Sequence, residues 1–245
     1  MLSAMSMLSS ALADLRSLFL PAHCMACEKT MENREDFICV ECRAKMPTTG
    51  YHLRYDNPMA ERLRSMLPRI EGATAMFFYI NKGSWRHLIH NIKYHNMWRA
   101  AVRVGYWYGC QMRTATHFQD IDYVVPIPLH RARRVKRGYN QSEKIAQGIA
   151  EALNVKMLTR EVVRLRNNPS QVTRSRLERW SNVEALFNVK HPEQLAGRHI
   201  LLVDDVFTTG ATMISCAESI FAKVPTVRIS VATLAALRRQ LGEPI

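Results

Sequence analysis

The sequence contains no run approaching the ~18 consecutive apolar residues of a membrane span, so a bilayer-crossing helix is not among its expected elements. It also lacks low-complexity stretches and internal repeats, which excludes a disordered chain or a solenoid. Acidic residues are scarce: 21 Asp and Glu stand against 34 Lys and Arg, a formal charge of +13. Such a balance suits polyanionic partners, whether pyrophosphate, nucleic acid or an acidic protein, and simple solubility is the plain alternative. The first apolar stretch has no basic start, and Asp14 and Arg16 interrupt it, so it is not expected to be a secretory signal. Met5, Leu8, Leu12, Leu15 and Phe19 recur instead at helical spacing, predicting an amphipathic helix over 1–20. Its polar face is not rich in Lys or Arg, so it is expected to pack on its own protein, and the chain to be cytoplasmic.

What is present first is a cysteine pattern. Cys24-x-x-Cys27 and Cys39-x-x-Cys42 lie with eleven residues between the pairs, in a segment (21–50) too short for a core of its own. Without a secretory signal, two such pairs point to tetrahedral thiolate ligation of structural zinc rather than disulfides. Rubredoxin-like iron and a redox dithiol are the chemical alternatives. Cys110 and Cys216 fall in apolar helical patterns and read as small core residues.

At 245 residues the chain is long enough for one α/β domain plus that appendage. The polar stretch Pro47 to Asn57 reads as a linker, and the main domain is expected over 58–245. Met59, Leu63, Met66 and Ile70 mark a helix, Ala73 to Ile80 a strand, and Ser84 to Asn96 a second helix; Met97 to Met112 continue as a third. The pair Lys93-Tyr94 ends the second helix, where a cation is favoured by the helix C-terminus itself, a phosphate or nucleic-acid contact being the functional alternative.

Two strand–turn–helix units then carry the chemistry. Asp122 to Val125 reads as a short buried strand stiffened at its end by Pro126-Ile127-Pro128. A basic loop follows from His130 to Arg137, holding Arg131, Arg133, Arg134, Lys136 and Arg137, and then a helix with Ser142 as one possible cap. The second unit is His199 to Thr212. Ile200 to Val203 suit a strand buried on both faces, Asp204 and Asp205 sit at its exit, and Thr208, Thr209, Gly210, Ala211 and Thr212 precede a helical pattern. Unpaired N–H groups at the helix start, with threonine hydroxyls beside them, make a phosphate cradle. Two acids beside a phosphate repel it unless sugar hydroxyls or Mg²⁺ intervene. In an open sheet both loops could face one crevice, where Arg131, Arg134, Lys136 and Arg137 with Mg²⁺ would suit pyrophosphate. A solvated basic loop, or one tracking a nucleic-acid backbone, is the alternative.

The second unit resembles the signature of type I phosphoribosyltransferases. Taken in order, the four-cysteine knuckle, HNIKYHN, VVPIPLHRARRVKRGYNQSEKIA, NNPSQVTRSRLERWSNVEALFNV and ILLVDDVFTTGAT resemble the ComF family of competence-associated, phosphoribosyltransferase-like proteins. The resemblance implies an open, mostly parallel sheet flanked by helices. It implies that Asp204 and Asp205 hold the ribose hydroxyls of phosphoribosyl pyrophosphate (PRPP) and that Thr208 to Thr212 hold its 5′-phosphate. Arg174, Arg176 and Arg179, in the polar segment Arg166 to Asn182, resemble a mobile loop that closes over PRPP, a permanently ordered surface helix being the alternative. Thr208 stands where purine-salvage relatives carry an acid, and a base-stacking segment after the last strand is hard to find, so no acceptor is implied. Two functions follow: an enzyme that transfers a phosphoribosyl group or cleaves PRPP, and a non-catalytic module that binds single-stranded DNA or a competence helicase. The acid pair favours the first, because like charge at the mouth of a phosphate cradle repels a nucleic-acid backbone.

Overall fold

The structure, a computed structural model, describes residues 22–31, 37–81, 83–165 and 186–243, apart from the side chain of Lys136. The expected helix over 1–20 and Arg174, Arg176 and Arg179 lie outside the described residues.

The chain opens with a short hairpin, β1 (Ala22–His23) against β2 (Thr30–Met31), followed by α1 (Val40–Ala44). After α2 (Pro58–Met66) come β3 (Ile70–Phe78), α3 (Trp85–Tyr94) and α4 (Trp98–Met112). The remaining elements are β4 (Tyr123–Pro126), α5 (Arg131–Arg137), α6 (Gln141–Leu153), β5 (Lys156–Met157), β6 (Val162–Arg164), β7 (Phe187–Val189), β8 (His199–Phe207), α7 (Ala211–Lys223) and β9 (Arg228–Ala236). Five strands form one parallel sheet in the order β3-β9-β8-β4-β5, while β6 and β7 pair as a separate antiparallel ribbon. The expected parallel sheet flanked by helices is therefore present.

Strand β8 lies in the middle, and its side chains alternate between two cores. Leu201 and Val203 face the core shared with α3, α4, α6 and the cysteine segment, whereas Ile200, Leu202 and Phe207 face the one shared with α2, α7 and the β6–β7 ribbon. A strand covered on both sides needs a continuous apolar run, which Ile200 to Val203 supply. Because α6, which follows β4, covers one face and α7, which follows β8, covers the other, the order reverses between β4 and β8. That reversal opens a crevice beyond their C-terminal ends.

Two expectations need correcting. The stretch Pro47 to Asn57 joins the cysteine segment to the sheet as packed structure rather than a loose linker: Pro47 accepts from the Phe78 amide at 2.8 Å, Tyr51 is buried, and buried Asn57 caps α2 through the amides of Met59 and Ala60. The basic loop is a helix, α5. His130 Nδ1 accepts from the Ala132 amide at its start, and the Gly138 amide returns to Arg134 O at its end. It escaped notice because it buries no face; Val135, its one large apolar residue, is 79% exposed. Helices α4 and α6 pack backbone to backbone, since a Cβ at Gly148 would lie 2.0 Å from Val102 O and one at Gly105 2.3 Å from Ile145 O.

At the opposite end of the sheet from the crevice, buried His199 bridges Asp120 (Nδ1 to Oδ1, 2.8 Å) and Ser230 (Nε2 to Oγ, 2.9 Å), and Asp120 pairs with Arg228 at 2.7 Å. Burial lowers the imidazole pKa despite Asp120 beside it, so the fold holds His199 neutral. The unfolded chain takes up that proton below about pH 6.5, so stability falls as pH drops from there toward the depressed folded value. We predict that His199→Gln flattens this acid slope, read from urea midpoints at several pH values between neutral and mildly acidic; identical slopes in both proteins would refute it.

Candidate functional site

The crevice is built from the ends of β4 and β8. Two acids near the end of β8 each meet a partner from a helix on the same side of the sheet, Asp204 from α6 and Asp205 from α3. Asp204 Oδ1 accepts from Ser142 Oγ at 2.7 Å and from the Asp205 amide at 2.9 Å. Asp205 Oδ2 lies 3.2 Å from Lys93 Nζ, with both side chains largely sheltered. Ser142 is free for this role because Asn140, not Ser142, caps α6: its Oδ1 accepts from the Ser142 amide, and its Nδ2 donates to Ile127 O.

Burial, and next the charge of Asp205, push the Asp204 carboxyl up to about 6, against the opposing pull of the Ser142 hydroxyl, the Asp205 amide and Lys93. Asp204 and Arg164 of β6 also act on one another electrostatically, although burial and then Arg133 lower the Arg164 pKa overall.

After β8 the chain turns through Thr208 and Thr209 to Gly210, which starts α7 with φ +82°. A Cβ there would sit 2.9 Å from the Phe207 ring, so the turn needs glycine for both backbone and space. No side chain among the described residues caps α7 at Gly210, so its first-turn amides border the crevice together with the exposed Thr208 and Thr209. Ala211 and Thr212 open the helix, and the Ala211 amide has only a long contact, 3.4 Å, to Thr209 Oγ1.

Arg131 and Arg134 line a cleft of about 220 Å³ at the end of β4 with Pro128, Asn140, Glu143 and Arg164. Arg134 is 3.8 Å from Glu143. Arg137 turns the other way, donating to Gln141 Oε1 at 2.8 Å and stacking 5.3 Å over the Tyr94 ring. The end of α3 is thus tied to α5, and a hydrogen bond from the Tyr139 hydroxyl to Ile92 O fastens it further. In the sequence Lys93 reads as a cation at a helix end with a phosphate or nucleic-acid contact as its alternative, Ser142 reads as a possible cap, and Arg164 carries no local signal at all.

Against α3, the sulfurs of Cys24, Cys27, Cys39 and Cys42 all lie within 4.8 Å of one another. The Cys27–Cys39 separation is 3.7 Å, matching the edge of about 3.8 Å expected for a tetrahedron of ~2.3 Å metal–sulfur bonds. Backbone amides reach toward sulfur as well: Cys39 N lies 3.3 Å from Cys24 Sγ, and Cys42 N 3.5 Å from Cys39 Sγ. Four thiolates this close need a cation among them, so the group could hold a metal ion such as zinc.

Comparison with known proteins now bears on the crevice. Residues 109–245, which carry β4, β8 and every element between, match the phosphoribosyl transferase domain family. The chain belongs to that family. Its relatives place it in the ComF branch. It is 35% identical over 106 residues to the DNA utilization protein YhgH of Escherichia coli K12, covering 43% of this chain and 46% of that protein. It is 23% identical over 205 residues to Competence protein F of Haemophilus influenzae, covering 80% and 89%. To Competence protein ComFC of Bacillus subtilis it is 32% identical over 111 residues, covering 45% and 43%. The chain thus spans about half the length of the Escherichia coli and Bacillus relatives it matches.

Within this ComF-family chain the raised pKa of Asp204 implies a stability cost at neutral pH. Because the folded pKa of Asp204 lies above its unfolded value, the penalty is absent below about pH 4, grows as pH rises to about 6 and is complete above that. Asp204→Asn keeps an acceptor for Ser142 and should therefore raise stability at pH 7.5 by about 2 kcal/mol, an increase of roughly 4–8 °C in Tm. The gain should shrink as the pH falls toward 4. Gly210→Ala should act oppositely, destabilising by about 1–2 kcal/mol through its left-handed backbone. Thermal unfolding across pH reads both, and an Asp204→Asn protein no more stable than the parent at neutral pH would contradict the first.

Proposed function

We propose that this ComF-family protein binds PRPP, or a related phosphorylated ribose, together with Mg²⁺ in the β4–β8 crevice. In this reading Asp204 and Asp205 take the ribose hydroxyls, and Thr208, Thr209, Gly210, Ala211 and Thr212 take the 5′-phosphate. Arg131, Arg134, Lys136 and Arg137 serve the pyrophosphate with Mg²⁺, and Arg174, Arg176 and Arg179 belong to a closing loop. One observation carries it: a pair of acids, held by Ser142 of α6 and Lys93 of α3, stands just before a glycine turn that leads into a helix N-terminus. A phosphate alone has no use for those acids, whereas a phosphorylated sugar with a metal ion uses both halves.

The reaction consistent with this site is displacement of pyrophosphate from C1 of the ribose. Positive charge would build on the ring, and the carboxylates are suited to stabilise it while arginines receive the leaving group. The relatives are named for competence and DNA utilization, so we infer a cytoplasmic role in handling imported DNA. A second reading, a non-catalytic module for single-stranded DNA or a protein partner, draws support from a cationic aromatic surface: half-exposed Trp98 lies beneath Arg99 at 5.0 Å and Lys144 at 5.5 Å.

Zinc is the metal we propose for the four cysteines, with no open coordination position and hence a structural role.

Calorimetric titration with PRPP, with and without Mg²⁺, tests the ligand. Binding is expected in the parent with Mg²⁺, and at least about 10-fold weaker in Asp204→Asn/Asp205→Asn, which loses charge-assisted hydrogen bonds. Silence in both proteins would remove PRPP and leave the DNA reading. Metal analysis tests the knuckle separately: one equivalent of zinc is expected, falling together with Tm in Cys39→Ser, and iron in its place would overturn the assignment.

A further inference from the structure

We propose that Lys93 is a ligand-contacting residue. It neutralises Asp205 before ligand arrives, and turns to the diphosphate oxygens when Mg²⁺ and the sugar hydroxyls take over that carboxylate. This rests on the ribose-phosphate reading above and names the group that exchanges partners within it.

A cation at a helix C-terminus gains a few tenths of a kcal/mol, up to about 1, from the helix itself and can stay in water while doing so. Lys93 does otherwise. Its side chain is only 23% exposed and its ammonium lies 3.2 Å from a carboxylate that is 13% exposed. Both charged side chains are largely sheltered, an arrangement a lysine at a helix end does not need for the helix's sake alone. The 3.2 Å separation also exceeds the ~2.7–2.9 Å of an optimal charge-assisted hydrogen bond, and the ammonium has three donors to place.

The backbone beneath it is fixed more firmly than the ammonium above. The Tyr139 hydroxyl bonds Ile92 O, Arg137 stacks on Tyr94, and Leu88, Ile89 and Ile92 are buried in the core. A rigid base carrying a four-carbon arm can transfer a charge between neighbouring anions without moving the helix. The helix that carries the arm ends beside Arg137, the last residue of α5, which stacks over the Tyr94 ring, and α3 and α7 cover opposite faces of the sheet.

Charge balance asks for such a residue. Lys93 acts on both acids, since it also lowers the pKa of Asp204. When Mg²⁺ and hydroxyls satisfy the carboxylates, a lysine left beside them would face the metal's charge. Diphosphate oxygens offer it the complementary partner.

The test is calorimetric titration of the parent, Lys93→Met and Lys93→Arg with PRPP, pyrophosphate and ribose 5-phosphate, each with Mg²⁺. Lys93→Met should weaken PRPP and pyrophosphate by at least about 10-fold and ribose 5-phosphate by less than about 3-fold, while Lys93→Arg stays within about 3-fold of the parent. Unchanged diphosphate affinity in Lys93→Met, or an equal loss for all three ligands, overturns the assignment while leaving the ribose-phosphate reading in place. A parent silent toward all three removes that reading and this inference together. Should Lys93→Met fail to fold, the parent decides alone: the ammonium resonance of Lys93 in ¹⁵N-lysine-labelled protein shifts on adding pyrophosphate and Mg²⁺, and an unmoved resonance overturns the proposal.

Discussion

Two adjacent carboxylates at the end of a strand buried on both faces repel one another in a medium that screens charge poorly, and much of the domain is arranged around that repulsion. Lys93 pairs directly with Asp205 and reaches Asp204 only through its field, so Asp204 needs a hydrogen-bonding partner of its own. The structure brings a partner to each. Helix α6 delivers Ser142 to Asp204, and α3 delivers Lys93 to Asp205. Each delivery depends on packing further away. The α6 start is set by the Asn140 cap, which is itself tied to Ile127 at the end of β4, and by the glycine contacts that let α4 and α6 touch along their backbones. The α3 end is set by Arg137, the last residue of α5, and by Tyr139, from the segment joining α5 to α6.

The same arrangement explains how a seven-residue helix with five cations persists. Like charges crowded on α5 repel, so the helix is stable only where neighbours answer them. Glu143 faces Arg134, while Gln141 and the Tyr94 ring engage Arg137. Arg131 and Arg134 open onto the cleft at the end of β4, on the side of the acids where Arg164 also lies. Arg131 and Arg134 therefore adjoin the acids in the crevice, where Lys93 rather than either of them pairs with Asp205. Such an arrangement is what a ligand bearing both anionic phosphates and neutral hydroxyls can use.

The parts legible in the sequence were those fixed by local pattern. Ile200 to Val203 announced a strand covered on both faces, the Gly210 turn announced itself through its threonines, and the cysteine spacing announced a metal-sized cluster. What escaped depended on contacts across the fold. Ser142 is separated from Asp204 by 62 residues, and nothing near Ser142 distinguishes a cap from a carboxylate partner. Lys93 gave an ambiguous local signal because a helix end and an acid can each explain a cation, and only the tertiary arrangement decides between them. Helix α5 was concealed for the opposite reason: it has no buried face, so hydrophobic periodicity has nothing to report, although a capping His130 and a closing Gly138 were both present in the sequence.

The cysteine segment bears on the crevice through α3. Asn91, two residues before Lys93, donates to Met25 O at 3.3 Å, and Met25 lies between Cys24 and Cys27. Cys24, Ala26, Ile38 and Cys42 share one core with Trp85, Leu88, Ile89 and Ile92 of the same helix. The knuckle is therefore a buttress against α3, and the same helix meets Asp205 through Lys93 in its last turn. A segment this short cannot order itself by apolar burial alone, so its capacity to brace α3 depends on whatever draws the four sulfurs together. A metal ion there would act on the crevice only as a positioning device. It would fix the helix that carries Lys93, and the chemistry would stay with the acids, the arginines and the glycine turn.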